Sequence, residues 1–556
     1  MVIRRDIARL VSEAAQEARE RGDLPAVALP DMEVERPQRP EHGDYASSLP
    51  LRLARAAGTS PLALAESIAR HIKPHDAVGE VNVAAPGFIN FRLSDLWLAG
   101  QVDAILAEGE AFGNLPLGNG RKVQVEYVSA NPTGPLHVGN GRWAAIGSTL
   151  ANVLKAAGYQ VEQEYFVNDM LTQVETFGRT LYARYQQLFG VPAEIPADGY
   201  PGEYVIELAR EIREEHGERF LGPREFGPDS PPEFRTIGIR KMVESIAADL
   251  AAMGVTFDVW YRESGLYGPD SRYDQAMALL REKGFVSEKE GAVWFTSSVL
   301  GEDKDNVLVR STGHPTYFAS DIAYHYDKFL VRHFDRVIDI WGADHQGHVS
   351  RLKAALTALG VDPERLDVII GQLVTLRRGG EAVRISKRAG DIVTLREVVE
   401  EVGADACRFF FLTRSADATV DFDLDLAKQQ SAENPVYYVQ YAYARIAGIL
   451  SLGQERAIDY GDGDVSLLSH PAELALIRKM LRLPELVESM AESLEPHHLT
   501  HYSLDLATTF HDFYERCRVV TDDVPLSKAR LKLVAAARSV LGRTLSLMGV
   551  RAPDRM

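Results

Sequence analysis

Residues 129–142, SANPTGPLHVGNGR, form a Gly- and Pro-rich segment between two patterned stretches. His137 and Asn140 lie three residues apart, so on the first turn of a helix they share one face and both can donate hydrogen bonds to phosphate oxygens. A turn that opens a helix also presents unpaired backbone N–H groups at the positive end of the helix dipole. The segment therefore predicts a site for a phosphate-bearing ligand.

The flanking sequence predicts the elements that hold this turn. Residues 122–128, KVQVEYV, alternate as a strand does, and residues 142–158 carry apolar residues at helical spacing up to a glycine. Strand and helix patterns go on alternating through 109–410, apart from a Pro/Gly/Glu-rich insertion at about 190–235, and this is typical of a doubly wound parallel sheet. In such sheets nucleotides bind beside the carboxyl ends of the strands.

A second motif follows a predicted β-hairpin with Gly379 and Gly380 at its tip. Its small cationic loop suits a transition state in which negative charge builds on a departing pyrophosphate. Alone, the loop would be an ordinary basic surface turn, but beside the first motif we interpret it as part of the same phosphate site. The loop residues are Ile385, Ser386, Lys387 and Arg388.

The two motifs, H-V-G-N at 137–140 and I-S-K-R at 385–388, resemble the HIGH and KMSK signatures of class I aminoacyl-tRNA synthetases. The whole chain resembles the arginyl-tRNA synthetases. In two departures, Asn140 stands where a histidine is usual and Arg384 where a lysine is usual. Asn140 keeps an N–H donor but loses a possible positive charge.

The resemblance implies ligation of L-arginine to tRNA(Arg) through an arginyl-adenylate, with acyl transfer to the terminal ribose 2′-hydroxyl. ATP accompanied by Mg²⁺ is the co-substrate, and neither zinc nor an organic cofactor is expected. It implies that ATP is bound by His137, Gly139, Asn140, Ile385 and Lys387. It implies that catalysis is carried by His137, Asn140, Ser386, Lys387 and Arg388.

Within TYFASDIAYHYDKF, four polar residues recur on one helical face: Tyr317, Asp321, Tyr324 and Lys328. The pattern alone fits either a pocket lining or a surface stripe. The resemblance assigns Tyr317 and Asp321 to recognition of the arginine side chain, with Gln346 as their partner. Nearby Asp344, His345 and His348 lack a further strong metal ligand, so we expect Asp344 to cap a helix and no zinc to bind.

A guanidinium offers five donors, no acceptor and a permanent charge, so its pocket needs carboxylates and neutral acceptors. Glu126 and Asp321 would supply the charge. Ser129 and Asn131 would face the α-amino and carboxylate ends of the amino acid. The expected arginine-binding set is Glu126, Ser129, Asn131, Tyr317, Asp321 and Gln346.

Two further domains are expected around the catalytic one. Residues 1–108 predict a small α+β unit, with a helix beginning at Ser60-Pro61 and two strands around Pro86-Gly87, and they resemble the tRNA-contacting N-terminal domain of the family. Residues 411–556 predict an all-α helical bundle that resembles its anticodon-binding domain. The expected tRNA-binding residues there are Tyr437, Gln440, Tyr441, Arg445, Arg555 and Met556.

The composition agrees with a multidomain globular enzyme. The chain has 556 residues, 46% hydrophobic and 25% charged, which is too long for one core. Two cysteines exclude a disulfide framework, and no targeting or membrane-spanning segment is recognisable, so we expect a cytoplasmic protein, acting as a monomer. The net charge of −18 argues against nucleic-acid binding, although the basic stretch 527–556 offers a local patch that is equally well a solvated helix face.

Three alternatives remain open from the sequence. A class I synthetase for another amino acid would keep the fold but not the arginine pocket. A nucleotidyltransferase would share the phosphate-binding turn but not the length or the tyrosine-rich helical tail. A catalytically impaired tRNA-binding paralogue would be favoured by the departures at Asn140 and Arg384.

Overall fold

The computed structural model describes residues 2–170, 172–221, 231–383 and 393–556. The N-terminal part is an antiparallel sheet of order β1-β2-β4-β3 packed against helices. Ser60 caps its third helix, accepting from the backbone N–H of Ala63, and Pro61 occupies the first turn, as predicted. The elements are α1 Ile3–Glu20, β1 Val34–Glu35, β2 Tyr45–Ser47, α2 Leu49–Ala57, α3 Pro61–Arg70, β3 Val78–Ala84, β4 Phe88–Leu93 and α4 Asp95–Glu108.

The middle part contains the parallel sheet. The strands of this middle part are β5 Lys122–Glu126, β6 Gln160–Val167, β7 Val259–Arg262, β8 Val286–Lys289, β9 Ala292–Phe295, β10 Asn306–Val309, β11 Arg336–Gly342, β12 Leu366–Gly371, β13 Val374–Arg378, β14 Glu381–Ala382 and β15 Val420–Asp423. Its helices are α5 Val138–Ala156, α6 Thr172–Gln187, α7 Glu203–His216, α8 Pro232–Ala252, α9 Arg272–Glu282, α10 Tyr317–Tyr326, α11 Val349–Leu359, α12 Leu395–Val402, α13 Ala404–Phe411 and α14 Leu424–Lys428.

The central sheet has the order β12-β11-β5-β6-β7, and all its neighbouring strands are parallel. The chain builds outwards from β5 through β6 to β7, then returns to β11 on the other side of β5. This reversal confirms the doubly wound fold, and it puts the crevice for a ligand at the carboxyl end of β5, where the predicted phosphate turn begins. In the described part of the Pro/Gly/Glu-rich insertion, the structure has a helix that the composition did not indicate, α7, which packs against α6.

The C-terminal part is the predicted helical bundle. It consists of α15 Pro435–Glu455, α16 Pro471–Met480, α17 Arg482–Ser493, α18 His498–Arg516 and α19 Val524–Met548. Buried carboxylates of α17 join it to the N-terminal unit. Glu488 accepts from Arg4 at 2.6 Å and also pairs with Arg5, while Glu485 accepts from Arg36 at 2.8 Å.

Arg408 of α13 joins the bundle to the parallel-sheet domain. Its fully buried guanidinium donates to the carbonyl oxygen of Met548 at 2.7 Å, at the end of α19, and to Oγ of Ser148 on α5 at 2.8 Å. Burial lowers the pKa of Arg408 to about 10. The cation lies at the negative end of the α19 dipole, where it is stabilised.

Gly549, which ends α19, tests this packing. It has φ +66°, and an added Cβ would lie 2.5 Å from Nη2 of Arg408, whereas Gly58, which ends α2 at φ +61°, has no heavy atom within 4 Å of such a Cβ. We expect Gly58→Ala to cost about 1 kcal/mol from the left-handed backbone alone, and Gly549→Ala to cost about 1–3 kcal/mol more from the clash. Thermal unfolding of both variants measures the difference; equal midpoints would show that Arg408 shifts without cost.

Candidate active site

The phosphate turn forms the N-terminus of α5. The helix begins at Val138, four residues before the predicted start at Arg142, so the motif residues lie in its first turn. Nδ1 of His137 accepts from the backbone N–H of Gly139 at 3.1 Å, and Oδ1 of Asn140 accepts from the backbone N–H of His137 at 3.0 Å. Because Nδ1 is an acceptor, the neutral ring carries its hydrogen on Nε2.

Asn140 therefore completes a capping box, a role that needs an acceptor oxygen at that position. Its amide group retains N–H donors, so the departure from histidine keeps both a structural function and the means to bind an anion. The cap alone is no sign of chemistry, because His470 and Glu473 form the same arrangement at the start of α16 in the bundle. What distinguishes the cap of α5 is its place at the switch point of the parallel sheet.

Behind this turn, three carboxylates form a row across the sheet. Asp339 on β11, Glu126 on β5 and Glu164 on β6 are register partners on adjacent parallel strands. Same-register residues point to the same face, so the row concentrates negative charge in the interior. All three side chains are nearly or fully inaccessible to solvent.

Cations from the segment after α10 neutralise the row. Nζ of Lys328 donates to Glu126 at 2.7 Å and to Asp339 at 2.9 Å, and Nη1 of Arg332 donates to Glu164 at 3.0 Å. Burial is the largest single effect on Asp339 and opposes its ionisation, but the contacts with Lys328 and His325 together outweigh burial and lower the pKa of that carboxyl to about 2. Burial raises the pKa of Glu126, although Lys328 acts against the rise.

This arrangement changes the part predicted for Glu126, whose charge is already shared with Lys328. Its second oxygen accepts from Oγ of Ser129 at 3.0 Å, and Ser129 in turn accepts from the backbone N–H of Phe166. Asn131 donates to Gln173 at 3.0 Å. Glu126 and Ser129 thus form one hydrogen-bonded unit at the start of the turn.

Asp321 occupies the other wall of the crevice, on α10. One of its carboxylate oxygens lies 2.7 Å from Nε2 of His348, and its side chain is 32% exposed. Burial raises the pKa of Asp321 to about 6. Tyr317 is 57% exposed one turn earlier on α10, and Gln346 is exposed on the 3-10 turn that leads to His348.

The predicted polar face of α10 therefore divides into two parts. Tyr317 and Asp321 face the crevice side, whereas Tyr324 and Lys328 are buried against the carboxylate row. The expectation that Asp344 caps the next helix is wrong, since α11 begins after His348 and the Asp344 side chain is 81% exposed. Among the described residues, no group of three His, Cys, Asp or Glu side chains is placed to hold a metal ion.

Glu263, directly after β7, is a further candidate that the sequence patterns did not indicate. This carboxylate is 4% exposed, lies beside Ser320 and the backbone of Met170, and is close enough to Asp321 for the two charges to repel. Burial, which is the largest cause, and repulsion by Asp321 both raise the pKa of Glu263. Its Oε2 is buried with no hydrogen-bond partner among the described residues. An acid at the carboxyl end of a parallel strand was the signal available in the sequence.

The second motif lies outside the described residues, but the structure describes the segments on both sides of it. The motif residues are Ile385, Ser386, Lys387 and Arg388. The predicted hairpin is confirmed by the antiparallel pairing of β13 with β14 and by positive φ at both tip glycines. After the motif, the predicted capping box of Thr394 and Glu397 opens α12. There Thr394 pairs with His137 in an isolated antiparallel β-bridge, and the backbone N–H of Leu395 donates to the carbonyl oxygen of Leu136 at 2.8 Å. The chain thus leaves the second motif directly beside the first.

An aromatic and cationic surface lies on the bundle. The rings of Tyr437 and Tyr441 stack with centroids 6.2 Å apart, and the Arg445 guanidinium lies over Tyr441 at 4.9 Å and over Tyr514 at 5.0 Å. Tyr441 and Tyr514 are each 38% exposed. Such faces can stack on unpaired bases. His511 adds a fourth ring, next to Tyr441.

Gln440 and the C-terminus behave differently. Gln440 is buried, and its amide donates to Asp405 at 3.1 Å and to the carbonyl oxygen of Arg551 at 2.9 Å, so it anchors the C-terminal segment. Beyond that anchor, Arg555 and Met556 are exposed.

The basic stretch 527–556 is not a continuous cationic face. Six of its cations have partners in other elements or in the C-terminal segment, and only Arg555 stands apart from them. The pairs are Lys528 with Asp462, Arg530 with Glu473, Lys532 with Asp103, Arg538 with Asp554, Arg543 with Asn114 and Arg551 with Asp405. These partners lower the positive charge that the stretch offers to a nucleic acid, and both interpretations, a nucleic-acid patch and a solvated helix face, stay predictions. In the described part of the chain, no helix has the length and apolarity needed to cross a membrane.

Comparisons with known proteins cover nearly the whole chain. Residues 3–93 match the arginyl tRNA synthetase N-terminal domain, 101–411 the class I (R) tRNA synthetase catalytic domain, and 439–556 the DALR anticodon-binding domain. Arginine–tRNA ligases of Dehalococcoides mccartyi strain CBDB1 and Moorella thermoacetica are 53% and 47% identical, over 100% of this chain and 99% of theirs. The structure of Thermus thermophilus arginyl-tRNA synthetase shares the fold, with a TM-score of 0.77 over 100% of both chains at 24% identity.

The double role of Asn140 can be separated by two substitutions. Asn140→Ala removes the capping oxygen and should lower the free energy of unfolding by about 1 kcal/mol. Asn140→Asp keeps an acceptor oxygen and should retain that stability, yet it replaces an N–H donor by a negative charge and should weaken ATP binding. Thermal unfolding and the KM for ATP give the two readouts; loss of stability in the aspartate variant would contradict the capping role.

Proposed function

Since the chain belongs to the arginyl-tRNA synthetases, we propose that the crevice at the carboxyl ends of β5 and β11 is where it performs arginine–tRNA ligation. The observation that carries this proposal is that two kinds of group follow the carboxyl ends of strands in one parallel sheet. The helix N-terminus at His137 suits phosphate, and the acids Asp321 and Glu263 suit a guanidinium.

In the first step, the arginine carboxylate attacks the α-phosphate of ATP in line, and pyrophosphate leaves with the electrons of the broken P–O bond. His137, Gly139 and Asn140 hold the phosphates and ribose of ATP. The loop of the second motif stabilises the charge on the pyrophosphate, through Ser386, Lys387 and Arg388, with Ile385 against the nucleotide. Mg²⁺ arrives with ATP as part of the substrate. Catalysis is by positioning and charge stabilisation, and no protein nucleophile is required.

In the second step, the terminal ribose 2′-hydroxyl of tRNA(Arg) attacks the acyl carbon of the adenylate, and AMP leaves. The stacked rings of Tyr437 and Tyr441, with Arg445, support a role for this surface in binding the anticodon. We place Arg555 and Met556 on the same tRNA-binding side. Gln440 belongs to the site only as a residue that fixes the C-terminal segment.

Selection of arginine follows from the chemistry of the pocket. Asp321 and Glu263 together offer the guanidinium two carboxylates, and one oxygen of Glu263 has no hydrogen-bond partner in the described part of the chain. Tyr317 and Gln346 can close over the guanidinium as neutral acceptors. Ser129 and Asn131 hold the amino-acid end. A lysine leaves part of a forked site unfilled, and buried polar pairing can reject such analogues by a factor on the order of 10⁴.

The wider organisation follows the same proposal. Residues 1–108 contact tRNA, 109–410 form the catalytic domain, and 411–556 bind the anticodon. We infer a monomer that works in the cytoplasm.

The experiment that tests the function is ATP–pyrophosphate exchange with each of the twenty amino acids, with and without a total tRNA pool. We expect exchange with arginine alone, dependent on added tRNA. Exchange with another amino acid would overturn the pocket assignment and leave the fold intact. Silence throughout, with tRNA binding intact, would favour the impaired paralogue and make Asn140 and Arg384 the first positions to restore.

Arginine binding should depend on pH through Asp321. Its pKa is raised to about 6 and a guanidinium needs the ionised carboxylate, so the KM for arginine should rise as the pH falls below 6, approaching about tenfold per pH unit. Asp321→Asn should raise the KM for arginine at every pH and remove its further rise below pH 6. His348, Arg351 and Glu263 also face this carboxylate, so His348→Gln is the second variant: it should move that rise to another pH without abolishing it. A parallel rise in the KM for ATP would contradict the assignment.

A further inference from the structure

A continuous buried chain of hydrogen bonds joins the two walls of the crevice. From Ser129 it passes to Glu126 at 3.0 Å, to Lys328 at 2.7 Å and to Asp339 at 2.9 Å. From Asp339 it continues through His325 Nε2 at 3.0 Å, and His325 Nδ1 reaches the carbonyl oxygen of Asp321 at 2.8 Å. One end is the signature turn and the other is the backbone of α10 at its recognition aspartate.

The chain joins two carboxylates through one ammonium group. Both oxygens of Glu126 accept hydrogen bonds, as in an ionised carboxylate. Asp339 shares the Lys328 ammonium with Glu126, and the two nitrogens of His325 lie within hydrogen-bond distance of the Asp321 carbonyl oxygen and the Asp339 carboxylate. The ion pairs lie in a region closed to solvent, where their geometry is tightly constrained.

The local backbone positions the Lys328 ammonium group. After α10, residues Asp327–Val331 form a π-helical turn, and Lys328 at its start is fully buried, with Nζ 4.1 Å from the centroid of the Tyr324 ring. Such turns change the direction in which a helix presents its side chains. Here the turn directs the ammonium group to the strand carboxylates. Regular α-helical packing of α10 needs no such pair in the core, and an apolar pair would be at least as stable.

We propose that Lys328, Asp339 and His325 are positioning residues for arginine, which fix the separation between the turn that holds the amino-acid end and the α10 residues that hold the guanidinium. The inference rests on the proposed function. A buried pair of ions has strict geometry, so it sets the distance between the walls more rigidly than apolar contacts do. That distance must match the length of the arginine side chain, and the three residues need not touch the substrate.

Asp339→Asn tests the proposal, because asparagine keeps the shape but removes the charge that pairs with Lys328 and contacts His325. In tRNA-dependent exchange we expect the KM for arginine to rise between about tenfold and a hundredfold, with the KM for ATP unchanged within about twofold. The preference for arginine over homoarginine, which is one methylene longer, should narrow. A merely structural role would lower the amount of active enzyme. It would leave the two KM values and the preference for arginine over homoarginine unchanged.

Two further variants keep the test decisive. His325→Gln can still donate to Asp339 but cannot donate to the Asp321 carbonyl at the same time, and it should reproduce the arginine-specific effect in a milder form. Glu473→Gln is the matched control, since this carboxylate is 1% exposed and accepts from Arg530 at 2.7 Å in the bundle, far from the crevice. It should leave the KM for arginine and the homoarginine preference unchanged.

The outcomes separate the two proposals. No arginine-dependent exchange by the unsubstituted protein would overturn the proposed function itself. Normal exchange by that protein, with Asp339→Asn and His325→Gln behaving like the Glu473→Gln control, would overturn the positioning role alone. If Asp339→Asn fails to fold, the His325→Gln result decides, and equal loss of arginine and ATP binding in that variant counts against the proposal.

Discussion

Three carboxylates lie in one row across a buried parallel sheet, and this row constrains the rest of the catalytic domain. Uncompensated, such a row would be too costly to bury. The chain solves this with Lys328 and Arg332 from the segment after α10, which must therefore pack over the ends of β5, β6 and β11. The packing that neutralises the row also brings Asp321 to the crevice. Folding and the proposed recognition of arginine thus depend on the same set of charges.

The helix α5 connects the crevice with the rest of the molecule. Its first turn holds the phosphate site, while Ser148 and Asn152 farther along bond to Arg408 and to the carbonyl oxygen of Leu547. Both contacts reach the last turn of α19, in the bundle that presents the stacked tyrosines. A shift of α19 therefore reaches α5 directly through Asn152 and, by way of Arg408, through Ser148. This connection is the route along which we propose that tRNA binding acts on the first chemical step.

The sequence was sufficient where chemistry and local structure use the same residues. The turn at 129–142, its strand, the hairpin at Gly379 and the capping box at Thr394 follow from local rules, and the structure agrees. Charge pairing over long distances was beyond these rules, because periodicity places Lys328 on a helix face but does not say which strand it meets. For the same reason Gln440 looked like part of a binding face, and the C-terminal cations looked like a patch, although most of them hold neighbouring elements together.

Two histidine caps among the described helices show why position decides function. His137 and His470 both cap a helix through Nδ1, with an N3 side chain closing the box. At His470, the N3 residue is a glutamate whose charge is taken by Arg530, which leaves an anion and its counter-ion at the helix start. At His137, the N3 residue is the neutral Asn140, so the capping box itself adds no negative charge at the positive end of the dipole. The second arrangement favours a phosphate over the first, and the replacement that departs from the family pattern still suits a phosphate site.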